Sequence, residues 1–188
     1  VHSERETHEV RATEHPLHGL QLWVALPPDH ERIDPDFLHV NKNDLPCIYR
    51  PGLMMRLIVG AAYGRSSPVR TFSPMFYLDV LADKGSQLEH PARDQEAAIC
   101  IISGALEISG KRYEKGDFVL LDSDDTSFTA LENCRYVIIG GKRFERIPHI
   151  HWNFVAYERA TIDEARQRWD AGEFPAIPGD DEEHIPLP

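Results

Sequence analysis

The sequence predicts an all-β fold of antiparallel strands, a barrel or sandwich, with one short helix near the C-terminus. Its 188 residues carry 14 prolines and 12 glycines, which punctuate short apolar runs rather than long helical ones. A turn recurs about every ten residues, the rhythm of meanders and Greek keys. One helical pattern near the C-terminus interrupts this texture.

The candidate strands, in chain order, are 20–26, 54–62, 75–82, 96–102, 117–122, 126–131 and 134–139, mostly β-branched or aromatic and bounded by Gly, Pro or Asp. The run Leu20-Gln-Leu-Trp-Val-Ala-Leu26 is apolar on both faces, so it is expected to pair with the rest of the barrel or with a second molecule. Proline and charge make the stretch from Pro27 to Pro51 a connector. Ser109-Gly110 reads as a tight hairpin turn in which the glycine accepts positive φ, and Gly116-Asp117 opens the next strand. Thr161-Ile-Asp-Glu164 has the form of a capping box, followed by Ile162, Ala165 and Trp169 on one helical face before Gly172, which predicts about three turns of helix. The acidic, proline-rich tail from Pro175 to Pro188 is expected to run extended over the surface.

Composition narrows the function. A formal net charge of −11, with no local Lys/Arg block to offset it, repels a phosphate backbone and argues against direct nucleic-acid binding. No apolar run is long enough to span a bilayer. Cys47, Cys100 and Cys134 form no C-x-x-C pair and sit in or beside apolar runs, which fits a reducing, cytoplasmic setting. The chain opens Val-His-Ser-Glu, without Met and without the basic and apolar regions of a secretion signal, and so is expected to be part of a longer protein or to have lost an upstream segment. There is no nucleophile elbow, and Gly140-Gly141-Lys142 lacks the spacing of a phosphate-binding loop.

Four histidine groupings are the candidates for chemistry. His2-Ser3-Glu4 puts an imidazole and a carboxylate on one face of a strand, where adjacent side chains can share a metal, although two donors alone do not make a tight site. Gly85-x4-His90-x-Ala92-x3-Glu96-x7-Gly104 approximates the metal motif of cupin barrels, but alanine stands at the second histidine position and no histidine follows until His149. With half the donors gone, His90 and Glu96 are expected to be hydrogen-bonded polar residues. His149-x-His151 points two imidazoles to one side of a strand beside Trp152, Phe154 and Tyr157, which suggests sheet packing. His15-Pro16-Leu17-His18 reads as a loop.

Several rare-residue motifs occur together: Val1-His-Ser-Glu4, Gly19-Leu-Gln-Leu-Trp-Val-Ala-Leu-Pro27, Thr71-Phe-Ser-Pro-Met-Phe-Tyr-Leu-Asp79, Glu96-Ala-Ala-Ile99, Trp152-Asn-Phe-Val155 and the close Pro178-Gly-Asp-Asp-Glu-Glu-His-Ile-Pro-Leu-Pro188. Over nearly the whole chain they resemble the pirin family, whose members are bicupins with a metal in the first barrel and usually none in the second. The resemblance implies a double-stranded β-helix, the cupin jelly roll, with one short C-terminal helix, and it explains Ala92. It divides the chain into trailing strands of the first, metal-binding cupin (1–32), a linker (33–50), the C-terminal cupin barrel (51–160), and the helix and tail (161–188), with about a hundred residues missing before Val1.

The resemblance also implies a chemistry. His2 and Glu4 match two family metal ligands, Glu4 being also the catalytic carboxylate, and the cofactor of the complete protein is Fe(II) or another divalent metal, with none expected in this chain alone. The implied activity is that of a quercetin 2,3-dioxygenase acting on a flavonol-like small molecule, complete in the parent and weak or absent here. The alternative is a non-enzymatic, metal- or redox-responsive regulator that binds a protein partner. A homodimer through exposed strands is a further expectation.

Overall fold

The computed structural model describes residues 2–122, 124–180 and 184–188. The elements are α1 (His8–Arg11), β1 (Cys47–Arg50), β2 (Leu53–Ala62), β3 (Arg65–Ser66), β4 (Met75–Ala82), β5 (Gln87–Glu89), β6 (Glu96–Ser103), β7 (Ala105–Ile108), β8 (Lys111–Glu114), β9 (Phe118–Leu120), β10 (Ser127–Ala130), β11 (Cys134–Gly141), β12 (His149–His151), β13 (Phe154–Ala156) and α2 (Arg159–Asp170). The chain divides into two compact units, residues 32–145 and residues 1–31 with 146–188.

The unit 32–145 is a jelly roll of two antiparallel sheets. One has the order β1-β2-β4-β11-β6-β9 with β3 on β2, and the other the order β5-β10-β7-β8. Alternation along the strands decides which side chains face inward. In β4, Phe76, Leu78 and Val80 are buried while Tyr77 and Asp79 between them are half-buried. Leu78 lies opposite Leu57 on one side and Ile138 on the other, and Ile138 opposite Ile99. From the smaller sheet Phe128 fills the same core, paired with Leu88 and Ile108. Cross-strand apolar pairs of this kind hold register, because a slip by one residue would turn the apolar set to solvent.

Two glycines fulfil specific needs in this unit. Ser109 and Gly110, at φ +49° and +75°, make the two-residue turn between β7 and β8, as their order in the sequence predicts. At Gly140 a Cβ would lie 2.3 Å from Phe76 Cζ, so the missing side chain is what admits the Phe76 ring to the core. Cys47–Arg50, inside the stretch read as a connector, forms β1 by pairing with β2.

In the unit 1–31 with 146–188, β12 and β13 form a two-stranded hairpin, with Trp152 at φ +49° in its turn. Helix α2 lies against both strands and presents the face the sequence predicts, Ile162 buried and Ala165 and Trp169 half-buried. Its start differs from the reading. The N-cap is Glu158, which makes no side-chain cap, so the Thr161-x-x-Glu164 pattern lies within the helix and is not a capping box. The C-terminus is a Schellman motif: Gly172 N–H donates to Trp169 O and Glu173 N–H to Arg168 O, with Gly172 at φ +68°.

Residues 20–26 are not a strand. A strand exists only as part of a hydrogen-bonded ladder, and no described strand offers its edge to this run. Leu20, Trp23 and Val24 are half or more exposed. The run is instead anchored at its end, where Leu26 O accepts from the Tyr157 hydroxyl at 2.8 Å and Glu31 accepts from Tyr157 N–H at 2.8 Å. Part of the tail falls on 181–183, outside the described residues. Before it, Ile177 and Asp180 close a turn rather than run straight. Among the described residues no helix is long and apolar enough to cross a membrane.

Candidate functional site

His2, Ser3 and Glu4 lie in irregular chain rather than in a strand, because this segment too has no ladder partner among the described residues. What holds it is side-chain bonding. Ser3 Oγ donates to Asp180 Oδ2, and Arg5 lies 2.8 Å from Asp180 Oδ1, so one carboxylate grips both residues flanking Glu4. The Ser3 hydroxyl, then Arg5, hold the Asp180 carboxyl below its ordinary value. Gln21 Nε2 donates to Glu4 Oε1 and orients the carboxylate.

Around this segment opens a pocket of about 1080 Å³, lined by His2 and Glu4 on one side and by Trp169, Phe174, Ile177 and Ile185 on another. The aromatic wall is built by the helix and hairpin. Trp169 packs edge-on to Trp152 at 5.4 Å and lies 5.5 Å from Phe174. The tail is tied to it where Trp169 Nε1 donates to Ile185 O at 2.9 Å. A concave site with an apolar wall and a few convergent polar groups is suited to a planar organic ligand.

Among the described residues no group of three or more His, Cys, Asp or Glu side chains is arranged to hold a metal ion. His2 and Glu4, the two candidates from the sequence, number fewer than the three donors that a metal centre of this kind needs.

The barrel of unit 32–145 does not bring its sequence candidates together. His90, after β5, accepts the Ala92 N–H at Nδ1, 3.2 Å, and meets the rings of Phe76 and Phe128 at 6.2 and 6.4 Å. Burial, with Arg93 assisting, pushes its pKa down, so it serves as a neutral, hydrogen-bonded imidazole. Ala92 packs against the core, and Glu96 is exposed, 3.6 Å from Arg143. His149 and His151 line a separate pocket against α2.

Sequence reasoning missed two side-chain pairings in the unit 1–31 with 146–188. His15 bonds Glu6 through Nε2 and the Thr13 carbonyl through Nδ1, both at 2.8 Å, and both acceptors, Glu6 foremost, raise its pKa. Asp180 stands 177 residues from Ser3, a pairing that no local spacing signals.

The two antiparallel sheets of unit 32–145, enclosing one apolar core, define it as a cupin-type barrel. The chain belongs to the pirin family: residues 77–175 match the Pirin C-terminal cupin domain. It is 35% identical over 178 residues to a Pirin-like protein of Caulobacter vibrioides, covering 92% of this chain and 60% of that one. It is 26% identical over 170 residues to human Pirin, covering 84% and 57%. The crystal structure of quercetin 2,3-dioxygenase from Acinetobacter baumannii superposes with a TM-score of 0.79 at 27% identity, over 88% of this chain and 56% of that one. The chain therefore spans somewhat more than half the length of each of these three proteins.

Proposed function

We propose that this chain is the greater part of a pirin that, when whole, acts as a metal-dependent quercetin 2,3-dioxygenase on a flavonol-like substrate, and that the chain by itself has little or no such activity. The observation that carries the reading is the joining of His2 and Glu4 to one aromatic-walled pocket. The likeness to a solved quercetin dioxygenase supports it.

In this reading His2 and Glu4 are two of the metal donors, and the others come from the part of the protein that the matched relatives possess beyond this length. The metal, iron(II) or another divalent ion, supplies Lewis acidity toward a deprotonated flavonol. Glu4, oriented by Gln21, serves as ligand or takes the flavonol hydroxyl proton as base. Trp169 and Phe174 hold the planar rings and exclude water. The setting is cytoplasmic, and residues 1–32 and 51–160 belong to the first and second cupins.

A second reading, a regulator that binds a protein partner or another copy of itself, is favoured by the exposed run Leu20, Trp23 and Val24. Quercetin consumption with iron(II) supplied separates the two. The whole protein should consume quercetin and oxygen together, and Glu4→Gln should cut the rate by a hundredfold or more, within the range for loss of an acid–base group. Absence of turnover in the whole protein, with partner capture retained, would leave the regulator.

A further inference from the structure

The pocket between β12 and α2 has no part in the proposed chemistry. It has a volume of about 310 Å³ and is lined by His149, His151, Arg159, Ile162, Asp163 and Arg166, with Ile150. Its composition follows from two periodicities. His149 and His151, two apart on a strand, face one side. Arg159, Asp163 and Arg166, at intervals of four and three on a helix, share one face. Buried Ile162 holds that helix in place.

The charge balance within the pocket is unusual for a chain of net charge −11. The lining holds two guanidinium groups and one carboxylate, and that carboxylate is a poor partner: Asp163 Oδ1 is 3.8 Å from Arg166 Nη1, beyond hydrogen-bond distance. Arg166 Nε is buried with no acceptor among the described residues. Arg159 has no ion pair among them. A guanidinium N–H removed from water without an acceptor is costly, and supplying an oxyanion there would relieve it. Imidazoles, neutral or charged, add N–H donors.

We propose that this pocket binds a small phosphate-class oxyanion, free or as the terminal group of a small ester, with Arg159 and Arg166 as its principal donors and His149 and His151 as auxiliary ones. The site is independent of the dioxygenase reading.

The test is calorimetric titration of the chain with inorganic phosphate, glycerol 3-phosphate and succinate at low ionic strength. Saturable one-site binding of either phosphate is expected, the tighter of the two identifying the source. Arg159→Gln, at an exposed helix-end position that leaves packing untouched, and Arg166→Gln should each weaken it about tenfold, the scale of one charge-assisted hydrogen bond. Asp163→Asn should tighten it, and the exposed Arg65→Gln on β3 should leave it unchanged. No saturable binding by about 10 mM phosphate, a very weak limit for a built site, would overturn the proposal. So would binding indifferent to Arg159→Gln, or succinate bound as tightly as either phosphate.

Discussion

Replacing Gly140 by alanine should destabilise the barrel through steric overlap alone. The added Cβ would lie 2.3 Å from Phe76 Cζ, 2.5 Å from Phe76 Cε1 and 2.7 Å from Glu96 O. Ordinary contact begins near 3.4 Å, so the ring would have to retreat by the difference, 3.4 − 2.3 = 1.1 Å. Phe76 is only 2% exposed, so its ring sits within the close-packed core. The carbonyl of Glu96 belongs to the β6 ladder and cannot yield cheaply. Overpacking of a close-packed core costs about 1–3 kcal/mol, and with backbone as well as side chain in the way the expected value is about 2–3 kcal/mol. For a barrel of this size that lowers the melting temperature by roughly 10 °C. Thermal and urea unfolding followed by near-ultraviolet circular dichroism would measure it. Phe76→Leu removes the two ring atoms concerned and costs about 1–2 kcal/mol by its cavity. The double variant should be more stable than the sum of the single effects by about 1 kcal/mol, since the two sites touch. A Gly140→Ala protein melting within about 2 °C of the original, or strict additivity, would refute the argument.

Three further outcomes follow from other groups. His15 has its pKa raised by Glu6 and Thr13, so the pair stabilises fully below the ordinary imidazole value of 6.5 and is lost as pH rises through the raised one; a proton NMR titration should place His15 above 6.5 and Glu6→Gln should return it, and no movement would sink the assignment. Asp180 is held below its ordinary 3.8, so its grip on Ser3 and Arg5 is present above that value and lost as pH falls through the lowered one; amide exchange of residues 2–6 and 177–180 should quicken together on acidification and in Asp180→Asn, and unaltered exchange would count against the clamp. Cys134 is buried and its thiol is pushed up to about 11 by that burial, so an aromatic disulfide reagent at pH 8 should modify half-buried Cys47 and Cys100 first; equal rates would contradict the core placement.

Much of the barrel was legible because strands buried on one face announce themselves by alternation. Phe76, Leu78 and Val80 do so in β4, and Ile99 and Ile101 in β6. The hairpin at Ser109-Gly110 was legible because the glycine accepts positive φ, whereas the positive φ of Ser109 carries no such mark in the sequence. The helix face was legible from Ile162 and Trp169, whereas its start was not, since Thr161-x-x-Glu164 fits a helix interior as well as a cap. Apolar composition in 20–26 expressed a preference for burial but could not supply the neighbouring strand that a ladder requires. At the site, His2 and Glu4 stood out by their spacing as an imidazole and a carboxylate, and only the resemblance to the pirin family gave the pair a role. The groups that hold the segment, Asp180 and Gln21, are distant in sequence and bear no periodic mark. The basic pocket was half visible as His149-x-His151, while Arg159 and Arg166 acquire meaning only when α2 lies over the hairpin.

The most direct test of the proposed pirin chemistry is the iron content of the whole protein after reconstitution with iron(II), compared for the original and His2→Ala by elemental mass spectrometry. Loss of one donor from a set of three or four breaks the geometry that fixes the ion. The account predicts about one iron per protein in the original, as a single site requires, and a large loss in His2→Ala, with the present chain binding little. Full iron occupancy retained in His2→Ala would contradict it.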